Sequence, residues 1–303
     1  MTELTILDAA AVAAALPMPA AIEAVRTALA GGLDPSADPA RTVVPVDHGQ
    51  LLMMPAQWDR YAGVKVATVA PANPAAGLPR IQGSYLLLDG PTLSPLAILD
   101  GIALTAIRTA AVSAVAADAL ADPDAGHLVV FGSGPQARSH VSAFRAIRSV
   151  AKVTVVGRDA ERAAEFAAWC GGTVGTAADV AHADLVACCT TARTPLFDGA
   201  LLPAHATVVA VGSHEPDAVE LDAATMTAGT VVVEAREPAL REAGDVVAPV
   251  AAGLLDPAGL VELAAVVRGA DVPRDRPRVF KSVGMAWEDV VLAAETYRGH
   301  QRA

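Results

Sequence analysis

Residues 127–157 read HLVVFGSGPQARSHVSAFRAIRSVAKVTVVG: an apolar run, a glycine turn, an amphipathic stretch and a second apolar run. The two runs are short and rich in valine, as buried strands are. Between them, apolar residues recur at 137, 141, 144 and 147, which is one face of a helix. Two strands joined by such a helix run parallel. The turn itself, GSGPQA, has the form G-x-G-x-x-A, with Gly132, Gly134 and Ala137. At the end of a strand and the start of a helix, that form suits a dinucleotide. Gly132 allows the tight turn, Gly134 lets a pyrophosphate approach the backbone, and Ala137 packs helix on strand. The helix N-terminus adds N–H groups and a positive dipole end. Outside that context the same letters would describe an ordinary strand-to-helix turn.

The end of the second strand indicates which dinucleotide. An acidic residue about 20 positions beyond the turn would hold the ribose 2′-hydroxyl of NAD. Here that place is Gly157, followed by Arg158. A guanidinium where a carboxylate would sit suits a 2′-phosphate, so NADP(H) is favoured over NAD(H), with Arg158 as its contact. Asp159 is better read as the cap of the next helix, DAERAAEFAAWCGG, which its two glycines end.

Farther along, ADLVACCT, ATVVAVGS and GTVVVEA read as three more buried strands. Strands alternating with helices argue for a Rossmann-type, doubly wound parallel sheet over residues 122–280. The region before it differs. The first thirty or so residues look helical, and residues 41–99 hold five short apolar runs separated by Pro, Gly, Asn and Asp. That pattern predicts a mostly antiparallel sheet. A long helix, GIALTAIRTAAVSAVAADALA, follows. The expected fold class is therefore α/β, with an N-terminal α+β domain over 1–121. The tail, RVFKSVGMAWEDVVLAAETYRG from Arg278, reads as a turn and a helix, with 281–303 returning to that first domain.

Composition narrows the partners. Against 33 Asp and Glu stand 22 Lys and Arg, a net charge of −11, and no segment concentrates cations, so no nucleic-acid partner is expected. Cys170, Cys188 and Cys189 lack any framework spacing, and the histidines are scattered. No disulfide scaffold and no metal site are expected, and a reducing cytoplasm suits the chain. The start, MTELTILDAAAVAAALPMPAA, carries acidic residues where a signal peptide would be basic, with Pro17 and Pro19 interrupting the alanines. No membrane span is expected.

Three cations stand out. Arg108 is the one charged residue of its apolar helix between Gly101 and Ala117. Arginine keeps its charge, so a buried one needs an anion, either an acidic side chain or a bound carboxylate or phosphate. Lys65 interrupts the apolar strand GVKVATV, as an edge-strand lysine or an anion contact. Arg41 opens RTVVPV. Together the three could hold a substrate carboxylate, the arginines in bidentate fashion and the lysine as a point charge.

The segments MMPA, GVKV, GLP, LDGIALTAIRTAAVSAVAA, GSGPQARSH, VGSHEPDAVELD and FKSVGMAWED occur in this order. They resemble the ornithine cyclodeaminase/μ-crystallin family over nearly the whole chain. The resemblance implies an N-terminal domain that binds substrate and forms a homodimer, and a Rossmann domain that binds a nicotinamide nucleotide. It implies that Arg41, Lys65 and Arg108 hold the substrate carboxylate. Ser84, Arg108, Thr109 and Thr190 would lie near the cofactor, and Gly132, Gly134, Pro135 and Gln136 would form the pyrophosphate turn. Ser282 and Gly284 would approach the nicotinamide.

One position departs from the members that cyclise ornithine: their aspartate for the side-chain amine is replaced by His214. A carboxylate attracts an ammonium group, and a histidine near neutrality attracts it poorly. The resemblance therefore implies NAD(P)H-dependent reduction of a cyclic imino acid such as Δ1-pyrroline-2-carboxylate or Δ1-piperideine-2-carboxylate. Lys65 or His214 would handle the proton. The alternatives are an alanine-type amino-acid dehydrogenase, an ornithine or lysine cyclodeaminase, and a non-catalytic, NADPH-dependent small-ligand binder.

Overall fold

The computed structural model describes residues 4–302. The chain divides into two compact units: the N-terminal part up to Arg108 together with Met285 onward, and Thr109–Gly284.

The first unit opens with β1 (Thr5–Leu7), α1 (Ala9–Ala15) and α2 (Met18–Ala30). Asp8 caps α1 by accepting from the Ala11 amide at 2.8 Å, which satisfies a donor the helix cannot. β2 (Thr42–Val46), β3 (Gly49–Trp58), β4 (Tyr61–Val69), β5 (Ile81–Asp89) and β6 (Pro95–Asp100) follow, then α3 (Gly101–Leu120). The six strands form one sheet in the order β1-β6-β5-β4-β3-β2, with each neighbouring pair antiparallel except β1 and β6. The five expected strands are all present. β1 is an addition, because three residues are too few to show a period.

Register sorts the side chains onto two faces. Met54, Lys65, Tyr85 and Leu99 are cross-strand partners on one face; Met53, Val66, Ser84 and Asp100 share the other. α3 follows β6 with no loop, and a Cβ on Gly101 would lie 2.7 Å from the Gly83 backbone. This helix has the length and apolarity of a membrane span. Its residues Ala110–Ala117 are nonetheless all buried in the fold.

The second unit begins with β7 (His127–Phe131), α4 (Pro135–Ile147), β8 (Lys152–Val156), α5 (Ala160–Cys170) and β9 (Thr173–Val174). It continues through β10 (Leu185–Cys188), β11 (Thr207–Ala210), α6 (Ala223–Ala228) and β12 (Thr230–Val233). α7 (Arg236–Glu242), α8 (Gly244–Ala251), β13 (Val261–Glu262), α9 (Leu263–Val267) and β14 (Arg278–Lys281) complete it. All eight strands are parallel, in the order β13-β12-β14-β11-β10-β7-β8-β9. The sheet is a Rossmann-type doubly wound one, and its strand order reverses between β7 and β10. In open α/β sheets that reversal is where ligands bind. Val129, Phe131, Val186, Val208, Val231 and Val279 are among its core.

β14 corrects the reading of RVFK as a turn before the last helix. It is a buried strand between β11 and β12. A cation at each end hid it, and the fold tolerates both because each is satisfied. The Arg278 guanidinium donates to the carbonyls of Leu120 at 3.1 Å and His205 at 2.7 Å. Lys281 Nζ donates to the Ser213 carbonyl at 2.8 Å and lies 3.0 Å from Asp245.

α10 (Ala286–Arg302) belongs to the first unit, where it packs on β3, β4, β5 and α2. The Trp287 amide at its start donates to Asp38 at 2.6 Å.

Candidate functional site

In the first unit, two of the three singled-out cations meet. Lys65 stands on the face of β4 that α10 covers and is 4% exposed. Its Nζ lies 2.7 Å from Oδ2 of Asp289. Arg108, 7% exposed, pairs through Nη1 with Glu288, and its Nε lies 3.7 Å from Oδ1 of Asp289. The other oxygen of Glu288 accepts from the Met285 amide at 3.0 Å. The result is a buried cluster of two cations and two carboxylates. Of the two partners open to Arg108, the protein's own acids are the ones present.

Burial pulls the Lys65 ammonium down to about 8; the Asp289 carboxylate opposes that shift and the Arg108 guanidinium adds to it. The phenol of Tyr85, Lys65's cross-strand partner, is pushed well above its ordinary range by burial and then by Asp289 and Asp38.

Arg41 is half-buried and immediately precedes β2. Thr42 pairs with Met53, so Arg41 borders the row that contains Met54 and Lys65. Ser84 is exposed on the opposite face from Lys65. Thr109 is buried and follows Arg108 on α3.

The second unit carries the glycine turn at the end of β7. Gly132 has φ +105°, and a Cβ there would lie 2.5 Å from the Cys189 carbonyl. Backbone conformation and close approach both demand glycine. Gly134 differs: its φ is −85°, and a Cβ there would meet no atom within 4 Å. Nothing in the chain itself requires a glycine at that place. As N-cap of α4, Gly134 offers no side chain to the first-turn amides, and Pro135 removes one donor. Gln136 Oε1 is buried without a hydrogen-bond partner. Open ground and amides without a side-chain cap fit the pyrophosphate of a dinucleotide.

Ala137 is fully buried, as close helix–strand packing needs. One turn on, His140 contacts the Gln136 carbonyl through Nδ1 at 2.8 Å and Ser113 of α3 through Nε2 at 2.9 Å. Burial lowers its imidazole to about 4, so it stays neutral. Arg158 is exposed just past β8. Asp159 accepts from the Glu161 and Arg162 amides, both at 3.1 Å, and is the expected cap of α5.

Three buried acids at the carboxyl edge of this sheet escaped the sequence reading. Glu220 accepts from Thr190 N at 2.8 Å, Thr190 Oγ1 at 2.7 Å and Gly212 N at 2.7 Å. It ties together the segments after β10 and β11. Glu234 accepts from Ser282 Oγ at 2.6 Å, Val283 N at 2.9 Å and Gly284 N at 3.1 Å. The hydroxyl of Ser282 and the amide of Gly284 therefore donate to the protein's own interior. Asp245 accepts from the Glu220 and Leu221 amides at 2.7 and 2.8 Å. A lone charge in an apolar run, the signal that marked Arg108, also marks Glu234 in VVVEA.

His214 follows β11 and is half-buried. Its neighbour Ser213 is held by Ala218 and Lys281, and Arg193 pairs with both Glu215 and Asp217 beyond it.

Comparison with known proteins places the chain among sequences and structures it resembles. The Δ1-pyrroline-2-carboxylate reductase of Bacillus cereus (strain ZK / E33L) is 37% identical over 277 residues, covering 86% of this chain and 85% of the relative. The ketimine reductase mu-crystallin of Mus musculus is 37% identical over 269 residues, covering 86% and 84%. Among solved structures, Thermococcus litoralis Δ1-pyrroline-2-carboxylate reductase in complex with NADH and L-proline superposes with a TM-score of 0.92. It is 31% identical and covers 99% of this chain and 98% of that one. The family model of ornithine cyclodeaminase/mu-crystallin matches residues 2–301, and the chain belongs to that family.

Proposed function

We propose that this chain is an NAD(P)H-dependent reductase of cyclic imino acids, converting Δ1-pyrroline-2-carboxylate or Δ1-piperideine-2-carboxylate to the cyclic amino acid. The observation that carries the reading is an intact dinucleotide turn in a chain whose Lys65 and Arg108 meet in one buried cluster, where Asp289 and Glu288 already pair with them. Relatives named for this reaction, one of them in complex with NADH and L-proline, support it.

Arg108 and Lys65, with Arg41 beside their row, hold the substrate carboxylate and so fix the orientation of the adjacent C=N carbon. A dihydronicotinamide, when bound, would supply the hydride that this carbon accepts. The nitrogen must carry a proton for the carbon to be electrophilic. Lys65, with its lowered proton affinity, is one group able to keep it there, and His214 is the other. Ser282 and Gly284, anchored on Glu234, contribute a fixed backbone surface and not new donors. Arg158 beyond β8, with Asp159 engaged as a cap, favours NADP(H) over NAD(H). The cysteines, none of them in a disulfide, suit a cytoplasmic setting.

A spectrophotometric assay tests the reading. NADPH consumption is followed with each cyclic imino acid, then with pyruvate plus ammonia. Ornithine and lysine are tested by release of ammonia with formation of proline or pipecolate, because cyclodeamination leaves the nicotinamide unchanged overall. Turnover with the cyclic imino acids alone is expected. Turnover only with pyruvate and ammonia would make the protein an amino-acid dehydrogenase, and ornithine turnover would make it a cyclodeaminase.

A further inference from the structure

The cluster around Lys65 holds more than a carboxylate clamp needs. Glu288 and Asp289, adjacent on α10 and both fully buried, place two negative charges directly on the two cations. We infer that these carboxylates make the site select the protonated iminium form of its substrate, by cancelling the cations that would otherwise repel it. The inference rests on the proposed reduction of imino acids.

The reasoning is electrostatic. Two uncompensated cations at contact with a substrate carboxylate would attract any anion, and would also disfavour a positive nitrogen two bonds from the carboxylate carbon. The cluster of Lys65, Arg108, Glu288 and Asp289 instead sums to zero. A neutral buried site accommodates a zwitterion, carboxylate and iminium together, at lower desolvation cost than a net anion. The reactive form is that zwitterion, and the deprotonated imine is the anion. Other groups bordering the cluster are Arg41, which adds a positive charge at the edge of the Lys65 row, Asp38, whose carboxylate offsets it and accepts from the Trp287 amide, and Tyr85 from β5, whose phenol stays protonated. Lys65 and Arg108 alone would bind carboxylates more tightly and reduce imines less well.

Glu288→Gln tests this, because Arg108 cannot give up its proton and the cluster then carries one net positive charge. Two quantities should move in opposite directions. At pH 6, the dissociation constant of pyrrole-2-carboxylate, a planar anion with no basic nitrogen, should fall about threefold or more. The pH above which kcat for Δ1-pyrroline-2-carboxylate declines at saturating substrate, which reports the bound complex, should move down by roughly one unit. Glu288→Ala, which removes the same charge from the partner of Arg108, serves if Glu288→Gln does not fold. Weakening of inhibitor and substrate together, or an unmoved pH limb, would overturn the inference and leave Glu288 a structural partner of Arg108. Failure of the unmodified protein to reduce any imine would instead overturn the proposed function.

Discussion

At the scale of single residues, the site turns on lone charges in apolar surroundings. Lys65 was legible as one cation in GVKVATV and Arg108 as the one cation of its helix, because uncompensated charge inside an apolar element needs a reason. Their carboxylate partners were not. In MAWEDV, Glu288 and Asp289 look like ordinary first-turn acids facing solvent and favoured by the helix dipole. Only the packing of α10 on β4 makes them buried partners. The lowered proton affinity of Lys65 carries a consequence with a definite sign. Below about 8 the ammonium is intact and contributes its charge to the clamp; as pH rises through that value the charge is lost. The dissociation constant of pyrrole-2-carboxylate, which has no titrating nitrogen, should therefore rise toward tenfold per pH unit above about 8. Lys65→Arg should flatten that rise even if it weakens binding at neutral pH. Calorimetric titration across pH 6–10 reads both.

At the scale of elements, the glycine turn was read correctly from its place between strand and helix, and the structure separates its two glycines. Gly132 is required by the fold, since any Cβ meets the Cys189 carbonyl at 2.5 Å and φ is positive. Gly134 is required by nothing in the chain. Gly134→Ala should therefore leave the melting temperature within about a degree and raise the dissociation constant for NADPH at least tenfold, by occupying the ground where the pyrophosphate would lie. Gly132→Ala should lower the melting temperature by several degrees as well. Differential scanning fluorimetry with and without NADPH distinguishes the two. β14 was missed for the opposite reason. Its four residues carry a cation at each end, so neither alternation nor an apolar run marks a strand. Its place in the sheet depends on carbonyls and acids from Leu120, His205, Ser213 and Asp245, remote partners that no local pattern reveals.

At the scale of the whole molecule, the outer face of the six-stranded sheet points to assembly. Val44, Val46, Met53 and Val66 are each between 38% and 46% exposed. Met53 and Val66 are direct cross-strand partners, and Val44 lies on the same face. An apolar surface of this kind on a sheet is a normal place for a second protomer. A homodimer through this face is the assembly we propose. Val66→Glu should convert it to a monomer, with mass read by light scattering after gel filtration; a dimer that persists unchanged would place the interface elsewhere. The grammar of the chain, changing from antiparallel strands to alternating strands and helices, predicts divisions after 121 and 280, whereas the compact units divide after Arg108, inside α3, and after Gly284. The tail reads as a helix returning to the first domain, and α10 packs there on β3, β4, β5 and α2; which face it covers has no local sign in the sequence.

The central claim is that a carboxylate held by Lys65 and Arg108 presents its neighbouring C=N carbon for reduction. Its most direct test is a single turnover of Δ1-pyrroline-2-carboxylate with NADPH deuterated at the transferring C4 position, followed by NMR of the product. Deuterium at Cα of proline, with the yield abolished in Arg108→Met while NADPH binding is retained, is the predicted result. Unlabelled proline, or label delivered only to alanine from pyruvate and ammonia, would contradict it.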